Sequence, residues 1–132
     1  MRKIYAHHAH VFPERIKPDG TIGTLKAIMD DCGIEKCVCF APFYEYFQDG
    51  TDANNWLAEA IRHDDALVGF GVIDFTNPDY AGQVKHIVDL GFKGIKIHPA
   101  FQKMKIDGPA CCAVYEEVQK HDLVISYHTG IH

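Results

Sequence analysis

No stretch of this 132-residue sequence approaches the ~20 consecutive apolar residues that a membrane-spanning helix needs. Near the N-terminus His7, His8 and His10 interrupt every apolar run, so no secretory core is expected there. The five cysteines, Cys32, Cys37, Cys39, Cys111 and Cys112, are odd in number and contain no Cys-x-x-Cys pair. That excludes a disulfide framework and a structural zinc knot. Cys37 and Cys39, two apart on a predicted strand, read as small buried thiols. Clustered basic residues are missing too. Thirteen Lys+Arg stand against eighteen Asp+Glu, a net charge of −5, which argues against a nucleic-acid partner. Phosphate-binding loops are absent, since Gly69-Phe70-Gly71 has neither the third glycine nor the following helix of a dinucleotide motif. Ser126 lies in no nucleophile elbow. The expectation is a cytoplasmic protein that binds neither membrane nor nucleic acid and takes a small-molecule substrate.

What is present is an apolar content of 47%, enough for a true core, and a regular alternation of strand and helix signals. Strands are expected over residues 3–8, 36–41, 66–74, 93–98 and 123–127. Helices are expected over 22–32, from Asp52 to about 61, from Asn77-Pro78 to 90, and over 109–120. Gly33 and Gly91 stop the first and third helices, Asp52 caps the second, and Asn77-Pro78 reads as a cap followed by a first-turn proline. A strand–helix alternation implies parallel pairing with right-handed crossovers. Two architectures satisfy it: a doubly wound five-stranded sheet, or the first five strands and four helices of a (β/α)₈ TIM-type barrel.

In either architecture binding groups gather where the strands end. His8 and His10 follow the first strand, Asp74 the third, His98 the fourth and His128 the fifth. His8-Ala9-His10 places two imidazoles on one side of an extended backbone, where both can reach one ion, and His128 offers a third. A catalytic zinc site uses about three protein ligands at roughly 2.0–2.1 Å. In a flat sheet the first and fifth strands are about 14–19 Å apart, too far for one ion. A shared site for His8, His10 and His128 therefore requires the sheet to curl toward closure.

Residues 4–13, Ile-Tyr-Ala-His-His-Ala-His-Val-Phe-Pro, resemble the strand-one signature of the amidohydrolase superfamily. Within it, the similarity is to the amidohydrolase-related branch that includes decarboxylases of the aminocarboxymuconate-semialdehyde type. Gly91-Phe92-Lys93-Gly94-Ile95-Lys96-Ile97-His98-Pro99 resembles that branch's strand-four segment, and Ile125-Ser126-Tyr127-His128-Thr129-Gly130 its strand-five segment. The resemblance implies that His8, His10 and His128 ligate a divalent metal, zinc being the first expectation. It implies catalytic roles at His98, which would orient substrate, and at His128. The implied reaction is hydrolysis of a carbonyl-type bond in a small molecule, with non-oxidative decarboxylation of an unsaturated or aromatic acid as the alternative. Lys96 shares a strand face with His98; it would either bridge two metals as a carboxylated lysine, as in binuclear members, or pair with a buried carboxylate.

Two departures accompany the resemblance. Ala6 stands where the family usually has an acidic residue. The family also draws a His from strand six and an Asp from strand eight, and (β/α)₈ barrels need about 200 residues or more. The sequence is thus expected to be one incomplete barrel domain over residues 1–132. A truncated, non-catalytic half-barrel is a further alternative, in which a homo-oligomer would cover the open sheet edges. Asp74 reads as a loop-capping carboxylate, and the aromatic stretch over residues 43–47 either shapes the pocket or packs beneath a loop.

Overall fold

A computed structural model describes residues 2–130. In chain order the elements are β1 (Ile4–His10), α1 (Ile22–Cys32), β2 (Ile34–Phe40), a short 3₁₀ turn (Tyr44–Tyr46), α2 (Ala53–Ile61), β3 (Leu67–Gly71), α3 (Tyr80–Asp89), β4 (Gly94–Ile97), α4 (Pro109–Lys120) and β5 (Val124–Tyr127). The strands form one sheet in the order β1-β2-β3-β4-β5, and every neighbouring pair is parallel. Each crossover therefore moves over by one strand and never reverses. A doubly wound sheet would reverse at its switch point. The winding is that of the first part of a TIM barrel, a half-barrel of five strands and four helices. No helix among the described residues is long and apolar enough to cross a membrane.

The helices hold one side of the sheet. Met29 of α1, Leu57 and Ile61 of α2, Val84 and Ile87 of α3 and Val114 and Val118 of α4 pack on Cys37, Cys39, Ile95 and Ile97 of the strands in one continuous core. Each such side chain contributes about 1.5–3 kcal/mol relative to exposure. Cys37 and Cys39 behave as apolar residues there, and burial pushes the Cys39 thiol up to about 12. The two glycines of Gly69-Phe70-Gly71 serve this packing. A Cβ at Gly69 would come within 2.6 Å of the Phe92 ring, and one at Gly71 within 2.7 Å of Ile87. Gly33 closes α1 at φ +67°, a conformation other residues adopt only with strain, and donates its N–H to Asp30.

The first strand runs on to His10 instead of ending at 8, and the second begins at Ile34 instead of 36; two further boundaries differ from the sequence expectation for identifiable reasons. The third strand stops at Gly71 instead of 74 because a buried side chain replaces the ladder. Asn54 accepts from Val72 N–H at 2.8 Å and donates to Val72 C=O at 2.9 Å. The third helix starts at Tyr80, with Asp79 and not Asn77 as its cap: Asp79 accepts from Gly82 N–H at 3.0 Å, while Asn77 accepts from Asp79 N–H. Asp52 caps α2 as expected, accepting from Asn55 N–H at 2.7 Å.

Candidate functional site

The side of the sheet away from the helices carries the histidines, and β1 delivers two of them through an irregularity. Ala6 pairs with Cys37 and Ala9 with Cys39, so three steps along β1 match two along β2. One extra residue is absorbed as a bulge between Ala6 and Ala9. Strict alternation would put Ala6 and Ala9 on opposite faces; with the bulge, both pack on the core. His8 and His10 turn to the other side, where their Nε2 atoms are 3.1 Å apart.

Both rings rest on Phe40, the buried last residue of β2, with centroid distances of 4.8 Å for His8 and 5.1 Å for His10. Lys96 of β4 extends into the same place. It is 0% exposed, its Nζ lies 4.9 Å from the Phe40 centroid, and that atom has no hydrogen-bond partner among the described residues. No carboxylate pairs with Lys96 among the described residues. Burial lowers the Lys96 pKa. It also lowers that of His8, helped by Lys96, His7 and His128. His10 is pushed down to about 4, first by burial and then by His8, Lys96, His128 and His98. At neutral pH both β1 imidazoles are therefore uncharged and have ring-nitrogen lone pairs available.

At the ends of β4 and β5, His98 and His128 stack face to face, 3.9 Å apart and inclined by 8°. His128 N–H donates to Ile97 C=O at 2.9 Å, which fixes the two strand ends side by side. His98 is held by Gln102, which accepts from its N–H at 2.9 Å and donates to Ile73 C=O at 3.1 Å. Phe101 N–H donates to His98 Nδ1 at 3.3 Å, which leaves the proton of a neutral ring on Nε2.

A cavity of about 320 Å³ joins the two groups, with His10, His98 and His128 in its wall. Residues of the first and fifth strands thus line one cavity, which a flat sheet could not achieve. Phe43 and Tyr46 line it too, so the aromatic stretch does shape the pocket, while Phe47 lies under the Arg15 guanidinium. Asp74 stays outside and accepts from Thr76 N–H and Oγ1, the expected loop-capping role.

The imidazole nitrogens suit a divalent ion such as zinc. Two nitrogens each about 2.0–2.1 Å from one ion and 3.1 Å apart subtend roughly 95–102°, between octahedral and tetrahedral angles, so His8 and His10 fit. His128 shares a cavity with His10 but stacks on His98, and among the described residues no group of three or more His, Cys, Asp or Glu side chains is assembled around one point. Sequence reasoning missed Phe40, Gln102, Phe101 and Lys17. Phe40 was detectable as the strand-end residue preceding Ala41-Pro42; the other three emerge only from loop geometry.

The sequence profile of the family described as amidohydrolase matches residues 41–132, more than half of the chain. No curated protein matches it. Among solved structures, a Staphylococcus aureus protein assigned to the amidohydrolases aligns with TM-score 0.78 at 20% identity, over 98% of this chain and 48% of its own. The 5-carboxyvanillate decarboxylase of Novosphingobium aromaticivorans, solved with manganese and a nitrobenzoic acid bound, aligns with TM-score 0.71 at 19% identity, over 96% and 50%. A Pseudomonas putida protein assigned as a 2-pyrone-4,6-dicarboxylic acid hydrolase gives TM-score 0.72 at 19% identity, over 96% and 48%. The chain spans about half the length of these structures.

Proposed function

That this chain belongs to the amidohydrolase family is the premise from which we propose that it supplies the β1–β5 part of a metal-dependent hydrolase site acting on a carbonyl-type bond of a small molecule. The observation that carries the reading is the His8–His10 pair, two neutral imidazoles with their Nε2 atoms 3.1 Å apart. His8 and His10 would hold the ion, zinc being the first expectation, with His128 turning from its stack as a third ligand. When bound, a divalent ion supplies Lewis-acid polarisation of a carbonyl and acidifies water.

The chain's own residues do the rest. His98, whose Nδ1 accepts from Phe101 N–H, lines the same cavity and would orient a substrate oxygen there. Gln102 ties the start of that loop to Ile73, which limits how far the imidazole can wander. Phe43 and Phe101 shield one side of the pocket from water. The activity is assigned to a complete barrel, of which these strands form part.

A non-oxidative decarboxylase of an unsaturated or aromatic acid is the second reading, favoured by the absence of any carboxylate among the described residues lining the pocket. Product analysis on that barrel separates the two: release of the substrate carboxylate as bicarbonate would replace hydrolase by decarboxylase. The shared premise is tested on this chain by zinc titration calorimetry. Binding is expected in the native chain, lost in His8→Ala and His10→Ala, and kept in His63→Ala, an exposed histidine outside the site. Equal zinc binding by all four proteins would overturn the assignment.

A further inference from the structure

We infer that Phe40 is the positioning residue of the β1 histidine pair: its ring, in place of a hydrogen bond, holds His8 and His10 so that both Nε2 atoms face one point. The consequence for metal affinity rests on the metal-site reading above; the seat itself stands on geometry alone.

A metal-binding imidazole is ordinarily fixed through its other ring nitrogen, which donates to a carboxylate, a backbone carbonyl or water. Nothing in the protein does this for the pair. Among the described residues the only hydrogen-bond contact of either ring is the 3.1 Å approach of the two Nε2 atoms to each other. No carboxylate among those residues forms an ion pair with His8 or His10. β1 is also an edge strand, paired with β2 alone, so no neighbouring strand confines the two rings from its outer side. Rotation about the side-chain bonds of His8 and His10 must be limited by some other contact.

Phe40 supplies that contact. It is 0% exposed, yet it stands outside the helix-side core: its neighbours Cys39 and Ala41 point into that core and Phe40 points the opposite way. His10 pairs with Phe40 across β1 and β2, and Phe40 pairs with Phe70 across β2 and β3, so the three residues stand side by side in one row. Phe70 leans over Gly94 of β4, where a Cβ would come within 2.5 Å of its ring. Its ring contact in the row is with Phe40, at 5.8 Å. Phe40 is therefore the member of the row that meets both imidazoles.

The two contacts are edge-to-face, at 88° for His8 and 61° for His10. That geometry is favoured because the positive edge of one ring meets the negative face of the other. Each contact prefers one tilt of its imidazole. Two tilts set by a single ring bring the nitrogens to the same place, and they do so before any ion arrives.

The test uses NMR of the 132-residue chain labelled at histidine and phenylalanine, first in chelator. Nuclear Overhauser contacts should join the Phe40 ring to both imidazoles, and the imidazoles to each other. In Phe40→Leu the imidazole–imidazole contact should disappear. Zinc affinity, measured by calorimetry without chelator, should then fall about fivefold or more, two ring contacts being lost. Phe40→Tyr keeps the ring and should restore both readouts. Phe70→Leu removes a ring from the same row and should leave both at the native level. An imidazole contact that survives in Phe40→Leu, or equal losses in Phe40→Leu and Phe70→Leu, would overturn the proposal. Should Phe40→Leu not fold, the native chain decides: the contacts of Phe40 with both imidazoles must be present in chelator and persist when zinc is added, and their loss in either condition overturns the proposal. Because the first readout needs no metal, absence of zinc binding with a Phe40-dependent imidazole contact would reject the metal reading alone.

Discussion

Lys96 offers the sharpest test of the electrostatics beneath the site. Its side chain is 0% exposed and its Nζ has no hydrogen-bond partner among the described residues. An unsatisfied buried polar group costs about 1–3 kcal/mol, and more when charged. The Phe40 ring at 4.9 Å offsets about 1–2 kcal/mol of that through its quadrupole. Lys96→Met keeps the unbranched stem and removes the amine, so it should stabilise the chain by about 1–2 kcal/mol at pH 7. With a urea slope of about 2 kcal/mol per molar, the unfolding midpoint should rise by about 0.5–1 M. The effect must also depend on pH. Burial lowers the folded-state pKa of Lys96 below the ordinary 10.5, so between those two values the unfolded chain binds more protons than the folded one. The penalty is complete below the folded value and is lost as pH rises toward 10.5, and the advantage of Lys96→Met should shrink in that window. Urea titrations of both proteins from pH 7 to 10 measure this directly, since ionisations common to both cancel in the difference. A destabilised Lys96→Met at pH 7, or an advantage independent of pH, would refute the reasoning. The wild-type lysine then reads as stability given up at a site for function.

Asn54 is 1% exposed and pairs with both backbone groups of Val72. Asn54→Leu orphans them and should cost about 2–4 kcal/mol; a loss below about 1 kcal/mol in urea unfolding would show that the side chain does not stand in for the ladder. At the start of α3, Asp79→Ala should cost about 1 kcal/mol and Asn77→Ala clearly less. Equal losses measured by thermal unfolding would return the cap to Asn77.

Much of the architecture could be read locally. The helix over 109–120 matches α4 at both ends, because Pro109 sets its first turn and Leu123 begins a new apolar run. Gly33 marks the end of α1 because only its left-handed backbone allows the reversal there. The end of β3 shifted because a partner distant in sequence intervened. Asn54 ends β3 from eighteen residues away, and no pattern within residues 66–74 records that. At Asn77 and Asp79 two capping residues competed, and a carboxylate accepting directly from Gly82 N–H defines the start.

The site divides in the same way. Sequence alone determined that His8, His10, His98 and His128 stand at strand ends, that the helices and strands alternate, and that a shared site needs a curled sheet. These follow from side-chain periodicity and chain length, which act over a few residues. Only the tertiary structure decided between a doubly wound sheet and a barrel winding, since strand order is a choice among distant pairings. It alone placed the bulge that turns His8 and His10 together, seated them on Phe40, buried Lys96 with no hydrogen-bond partner among the described residues and laid Lys17 across Gly20 against Phe12. Each of these depends on atoms from separate elements meeting within a few ångströms, and the folding of the sheet brings them there.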